Sequence, residues 1–182
     1  MAARRYKLRR CREKSSGKEL TLKKTDVKES YALKIALASD HAGFRLKERI
    51  KEYLAQKGIV YEDFGTFDEK PVDYPDLAYK AASAVQKEVC GRGIIVCGTG
   101  IGVAIAANKL KGIRAALCSD RFSASCARAH NDANILTLGA RVIEDELALK
   151  IVDIFLETPF DGGRHLKRIK KIEMLENEEC LK

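Results

Sequence analysis

The chain has 182 residues, 46% hydrophobic and 33% charged, a balance that suits a globular protein with one ordinary core and is short for two. No apolar run approaches the roughly 18 residues a membrane span needs. The six cysteines (Cys11, Cys90, Cys97, Cys118, Cys126 and Cys180) form no CxxC pair, and no N-terminal hydrophobic segment suggests secretion, so reduced thiols and a cytoplasmic protein are expected. The net charge of +8 is uneven: residues 1–33 hold 11 Lys+Arg against 4 Asp+Glu, leaving 23 against 22 for the remainder. A nucleic-acid-binding face on the folded part is therefore disfavoured, and the basic character belongs to an appendage.

That appendage, residues 1–33, has few apolar residues and no sustained period. It reads as a disordered extension, with a solvated tail, an upstream coding start, an RNA-contacting arm and an organelle-targeting peptide as the open explanations. From Lys34 a single domain is expected, 34–182. Ile35–Ser39 (IALAS) reads as a short buried strand, closed by Asp40, His41, Ala42 and Gly43. A helix over Phe44–Lys57 follows, with apolar residues at Leu46, Ile50, Tyr53 and Leu54. A second strand is expected over Ile59–Phe64, a loop over Gly65–Pro75 and an alanine-rich helix over Asp76–Glu88. After the third strand and helix come a strand over Ile113–Cys118, a helix over Asp120–Ala129, a strand over Ile135–Gly139 and a helix over Asp145–Leu156. A basic helix over Gly162–Glu179 closes the order. Alternation of this kind predicts a three-layer α/β/α sandwich, Rossmann-like, with a five-stranded parallel sheet and ligands bound beyond the C-terminal strand ends.

The third unit, Ile94–Leu110, reads IIVCGTGIGVAIAANKL. It gives a strand ending at Cys97, a turn with glycines at 98, 100 and 102, and a helix start. Backbone N–H groups there suit an anion, and the thiol stands beside it, so the stretch suits a base that removes a proton while N–H donors hold the oxyanion. The pattern is GxGxG, with Val103 and Ile105 in the third-glycine places of a dinucleotide fingerprint, and no Walker sequence follows. Asp120, at the end of the next strand, keeps a nicotinamide-binding reading open, as does a purely structural turn.

The three histidines lie in loops or at a helix start beside polar residues. Asp40 and His41 follow strand one, and Cys97 and Thr99 follow strand three. His130 and Asn131 precede strand five, at the opposite edge, so they rejoin the others only across a subunit contact. The bland alternatives are a helix cap at Asp40, a helix C-terminal cation at His130 and a solvated start at Arg164, His165, Lys167 and Arg168. Cations at a Gly-Gly helix start oppose the dipole, however, and a bound phosphate would compensate.

Through SDHAGFRLK, DYPD, CGTGIGVAIAANK, GIRAAL, ARAHNDANIL and GGRHLKRI, Lys34 to about Glu173 resembles the sugar-phosphate isomerases of the type B ribose-5-phosphate isomerase family, which includes the galactose-6-phosphate isomerase subunits. The resemblance implies an aldose–ketose isomerase working through a cis-enediolate on ribose 5-phosphate and ribulose 5-phosphate, with no cofactor and no metal. By that analogy Cys97 is the base and Thr99 assists at the neighbouring hydroxyl. Some relatives use a glutamate after the glycines, but Ala104 and its neighbours offer no carboxylate. Asp40 and His130 would open the sugar ring, and Gly98, Gly100, Gly102 and Asn131 would hold the enediolate. Phosphate binding falls to His41, Arg141, Arg164 and Arg168, and Tyr74 lines the sugar site. The implied assembly is a homodimer or tetramer with a shared active site. The same chemistry on allose or galactose 6-phosphate is the nearest alternative, and a non-catalytic sugar-phosphate or nucleotide-binding module is a more distant one.

Overall fold

A computed structural model describes residues 34–177; the segments 1–33 and 178–182, including the expected basic extension, lie outside the described residues. Eleven elements alternate from the start: β1 Ile35–Ser39, α1 Phe44–Gln56, β2 Tyr61–Asp63, α2 Tyr74–Gln86, β3 Arg92–Cys97, α3 Ile101–Ala107, β4 Ala115–Leu117, α4 Arg121–Ala129, β5 Ile135–Gly139, α5 Asp145–Glu157 and α6 Gly163–Glu176. The strands form one parallel sheet in the order β2-β1-β3-β5-β4. Among the described residues no helix is long and apolar enough to cross a membrane.

Both faces of the sheet are covered, which is why β1, β3 and β5 read as nearly continuous apolar runs. Ile35, Leu37, Ile94, Val96, Leu136 and Leu138 point to the face packed by α1, α4 and α5. Ala36, Ala38, Ile95, Cys97 and Ile135 point to the face packed by α2 and α3. Small residues on the second face let helices approach closely: Ala78, Ala81 and Ala82 of α2 are fully buried. On the first face Leu46, Ile50 and Leu54 recur every fourth residue of α1, each at most 2% exposed, and burial of such a side chain contributes about 1.5–3 kcal/mol.

Several element limits differ from expectation for local reasons. β2 is three residues, because Ile59 N–H closes the end of α1 on the Leu54 carbonyl and Val60, 62% exposed, only offers its carbonyl to Ile35. α2 starts at Tyr74, with Pro75 in the first turn, where a missing N–H loses no helix bond. α3 stops at Ala107, short of Leu110. There the Asn108 side chain pairs with the backbone of Ala115 in both directions, at 2.8 and 2.9 Å, so that it anchors the start of β4. β4 in turn covers only residues 115–117 of the expected strand.

β1 has β2 on one side and β3 on the other, so the winding reverses between β1 and β3. The crevice beyond their C-terminal ends is where such sheets bind ligands.

Candidate active site

Cys97 ends β3 in register with Gly139 of β5, at the mouth of this crevice. Its side chain belongs to the second core face, and the residue is 5% exposed. The chain then turns sharply, and Gly100 N–H donates to Cys97 Sγ at 3.0 Å, a bond that a thiolate accepts more strongly than a thiol. Gly100 has φ 77°, in the left-handed region, and a Cβ there would lie 2.5 Å from Leu117 Cδ1, so only glycine fits. Thr99 is exposed, its hydroxyl facing the α3 start, where it accepts Ile101 N–H at 3.4 Å.

The other β-sheet ends supply the same crevice. After β1, Asp40 is 7% exposed and one carboxylate oxygen accepts Gly43 N–H at 2.9 Å; in place of the helix cap that is the bland alternative for Asp40 there is this tight turn, with Gly43 at the N-cap of α1. His41 Nδ1 accepts Val72 N–H at 3.4 Å, which pins the ring to the loop before α2 and leaves Nε2 to donate. Tyr74 follows that loop and lies across α3, where a Cβ on Gly102 would meet its ring at 2.6 Å. After β5, the Arg141 guanidinium passes Gly98, 3.5 Å from where a Cβ would stand. Asp40, His41, Tyr74, Cys97, Thr99, the glycines and Arg141 are therefore gathered at one edge.

The remaining candidates gather at the opposite edge. His130 is the C-cap of α4, and Arg164 and Arg168 are exposed on α6. Asp132, with φ 44°, holds the His130–Asn131 loop by bonds to Arg128 at 2.8 Å and Arg114 at 3.0 Å. A groove of about 560 Å³ runs past Asn131 between Ile113, Arg114, Ile172 and Leu175. The expected separation of the His130 group from Cys97 within one chain is what the parallel topology produces.

Two residues here escaped the sequence. His165, inside a charged run, is 7% exposed rather than solvated, and its ring stacks on His130 with centroids 4.3 Å apart and planes 3° apart. Asp161 stands beside them, so His130, Asp161 and His165 offer ligand atoms within 4.8 Å of one another. Parallel rings send their in-plane lone pairs side by side rather than to one point, and Arg164 Nε donates to His165 Nε2 at 3.4 Å, which makes the trio a poor chelator. The one signal for His165 is its i,i+4 spacing to Ile169, the other buried residue of α6. Desolvation pushes the His165 ring below its ordinary range, followed by the charges of His130, Arg164 and Arg168, with Asp161 opposing.

Comparison with known proteins follows the same boundaries. Residues 35–172 match the family model described as Ribose/Galactose Isomerase. Ribose-5-phosphate isomerase B of Escherichia coli (strain K12) is 46% identical over 143 residues, 79% of this chain and 96% of that protein. The solved ribose-5-phosphate isomerase B of Clostridium thermocellum superposes with a TM-score of 0.79 at 50% identity, covering 80% of this chain and 98% of its own. That of Mycoplasma genitalium, with bound ribulose-5-phosphate, gives 0.77 at 45% identity, covering 80% and 97%. The matched stretch runs from the first residue of β1 into α6 and takes in every candidate side chain at both edges of the sheet, and the chain belongs to the ribose/galactose isomerase family.

Proposed function

We propose that the chain is an aldose–ketose isomerase that interconverts D-ribose 5-phosphate and D-ribulose 5-phosphate through a cis-enediolate, with Cys97 as general base. The observation that carries this is the thiol at the switch point, under a glycine turn whose N–H reaches its sulfur at 3.0 Å, in a family whose relatives carry ribose-5-phosphate isomerase B in their names. Asp40 and His130 open the furanose, one taking the anomeric hydroxyl proton and the other supplying a proton to the ring oxygen. The Cys97 thiolate then removes the C2 proton of the open aldose. The C–H electrons become the C1=C2 bond, and charge moves onto O1, where the N–H groups from Gly98 to Gly102 and the Asn131 amide meet it. Return of the proton to C1, with Thr99 assisting transfer between the two oxygens, gives the ketose. His41, Arg141, Arg164 and Arg168 hold the phosphate, and Tyr74 walls the sugar site. Every proton in the scheme is carried by a side chain of the protein, so the scheme invokes no cofactor.

Because the two groups of residues lie at opposite edges, the complete site needs a second copy of the chain. The edge around Cys97 exposes Ile101, Ile105, Leu117, Phe122 and Val142, from 41% to 78%, the kind of apolar surface a self-complementary contact covers. On this reading the protein is a homodimer or a tetramer built from one. It would serve the pentose phosphate pathway in the cytoplasm, in keeping with free thiols at Cys90, Cys97, Cys118 and Cys126.

The test is proton NMR of the purified protein in D2O with EDTA, offered ribose 5-phosphate, allose 6-phosphate and galactose 6-phosphate. Ribulose 5-phosphate formed fastest, with deuterium entering at the exchanged carbon, is the expected result. Faster turnover of a hexose phosphate moves the substrate to a sister branch with the same chemistry. No turnover of any of the three refutes the enzyme and leaves a binding module.

A further inference from the structure

His165 has no part in the scheme above, yet it is buried, and its ring lies flat on that of His130. We infer that His165 is a positioning residue for ring opening: stacked on His130 in the same chain, it fixes the plane in which His130 exchanges a proton with the cyclic sugar. This rests on the assignment of His130 to ring opening.

Three observations carry it. His130 ends α4, where an imidazole has no helical neighbour beyond it to hold its rotamer, and the parallel stack at 4.3 Å and 3° supplies that constraint. The two ring-bearing segments are tied by backbone, Asp161 N–H donating to the Ala129 carbonyl at 3.0 Å, and His165 N–H closes the first turn of α6 on the Gly162 carbonyl at 3.0 Å. The third is the charge state of the stack. Arginine is only ever a donor, so the bond from Arg164 Nε at 3.4 Å marks His165 Nε2 as a lone pair and the ring as neutral, with its proton on Nδ1. The charged groups facing His165 are His130 from α4, Arg164 and Arg168 on α6, and Asp161 on the preceding loop; together with burial they keep the ring neutral. A neutral aromatic face stabilises the cation that His130 becomes whenever it holds the extra proton, whereas a protonated neighbour would repel it.

Ring opening and enolisation can be read separately. Ribulose 5-phosphate, with its carbonyl at C2 and its O5 esterified, has no hydroxyl able to close a furanose. Its C1 proton therefore exchanges with D2O through the enediolate without any ring chemistry. In H165A, turnover of ribose 5-phosphate is expected to fall about tenfold to a hundredfold, while deuterium entry into ribulose 5-phosphate stays within about twofold of wild type. H165F, which restores a flat ring, is expected to recover most of the lost turnover. H130N should show the same split, at least as large. Wild-type turnover in H165A, or parallel loss of both readouts in a folded variant, overturns the inference while an H130N split leaves ring opening with His130. No split in H130N withdraws the His130 assignment itself, and the inference with it. Should H165A fail to fold, H165N takes its place with the same two expectations.

Discussion

Cys97 is the side chain on which the proposed chemistry turns, and its surroundings separate it from the other thiols. Its sulfur receives a backbone N–H at the tip of a strand, whereas Cys90 and Cys118 are closed in the core at 1% exposure, where burial above all pushes each thiol up to about 11. Cys97→Ala is expected to lower turnover by about 10²- to 10⁴-fold, the usual contribution of a positioned base. Melting temperature and ribose 5-phosphate binding by calorimetry should stay as in wild type; near-normal turnover would move the base elsewhere. Arg168→Ala removes a cation on the exposed face of α6 that the scheme gives only to phosphate, so KM should rise with kcat nearly unchanged in a steady-state assay. Iodoacetamide at pH 8 supplies an independent check. Peptide mapping should find Cys97 alkylated in step with loss of activity and shielded by substrate, with Cys90 and Cys118 unmodified until the protein unfolds.

At the scale of elements, the turn that carries Asp40 and His41 is braced by α1 and β2. Lys47 of α1 is fully buried, and its ammonium donates to both oxygens of Asp63 at 2.6 and 2.7 Å; Asp63 also accepts Gly65 N–H at 3.0 Å. Gly65 and Thr66 in turn pair with the backbone of Ser39, next to Asp40. Burial alone would raise the Asp63 carboxyl, but Lys47, Lys51 and the Gly65 N–H outweigh it and hold it below the usual carboxylate range. As pH drops the unfolded chain therefore takes up this proton first. The stability contributed by Asp63 is complete above about pH 4 and is lost as pH falls further through its folded value. Lys47→Met should cost about 3 kcal/mol at pH 7, since Lys51 still reaches Asp63 at 2.9 Å, and urea melts between pH 7 and pH 3 should lose acid sensitivity relative to wild type. The buried strands β1, β3 and β5 were legible in the sequence because both their faces are apolar. β2 and β4 are three-residue edge strands with no buried residue, and their limits are set by partners the chain reaches only once folded. The end of α3 is one such case, decided by the Asn108 amide on Ala115, a contact no periodicity records. His165 is another, since in the run RHLKR a residue pressed under a histidine of a different helix looks the same as a solvated one.

At the scale of the whole molecule, one topological fact supports the proposed assembly. In a parallel sheet every strand ends on the same edge, so residues that follow strands and residues that precede them are kept apart by the length of β5, from Ile135 to Gly139. Cys97 with Asp40, His41 and Arg141 belongs to the first class and His130 with Asn131 to the second, where the His130–His165 stack also brings the α6 segment that carries Arg164 and Arg168. Two different inactive variants can then repair each other. Cys97→Ala lacks the base and keeps the ring-opening group, while His130→Asn lacks the second and keeps the first. When the two are mixed in equal amounts and subunits exchange, half of the dimers are hybrids. In each hybrid one site combines both intact halves and the other combines both defects. Activity should rise from near zero in either variant alone to about a quarter of wild type in the mixture, with kcat per intact site unchanged. An assay of the mixture against time, with size-exclusion chromatography to confirm the dimer, checks it. If the mixture stays as inactive as its components although subunits have exchanged, the catalytic groups do not come from two chains, and the division of the site between the two edges of the sheet is refuted.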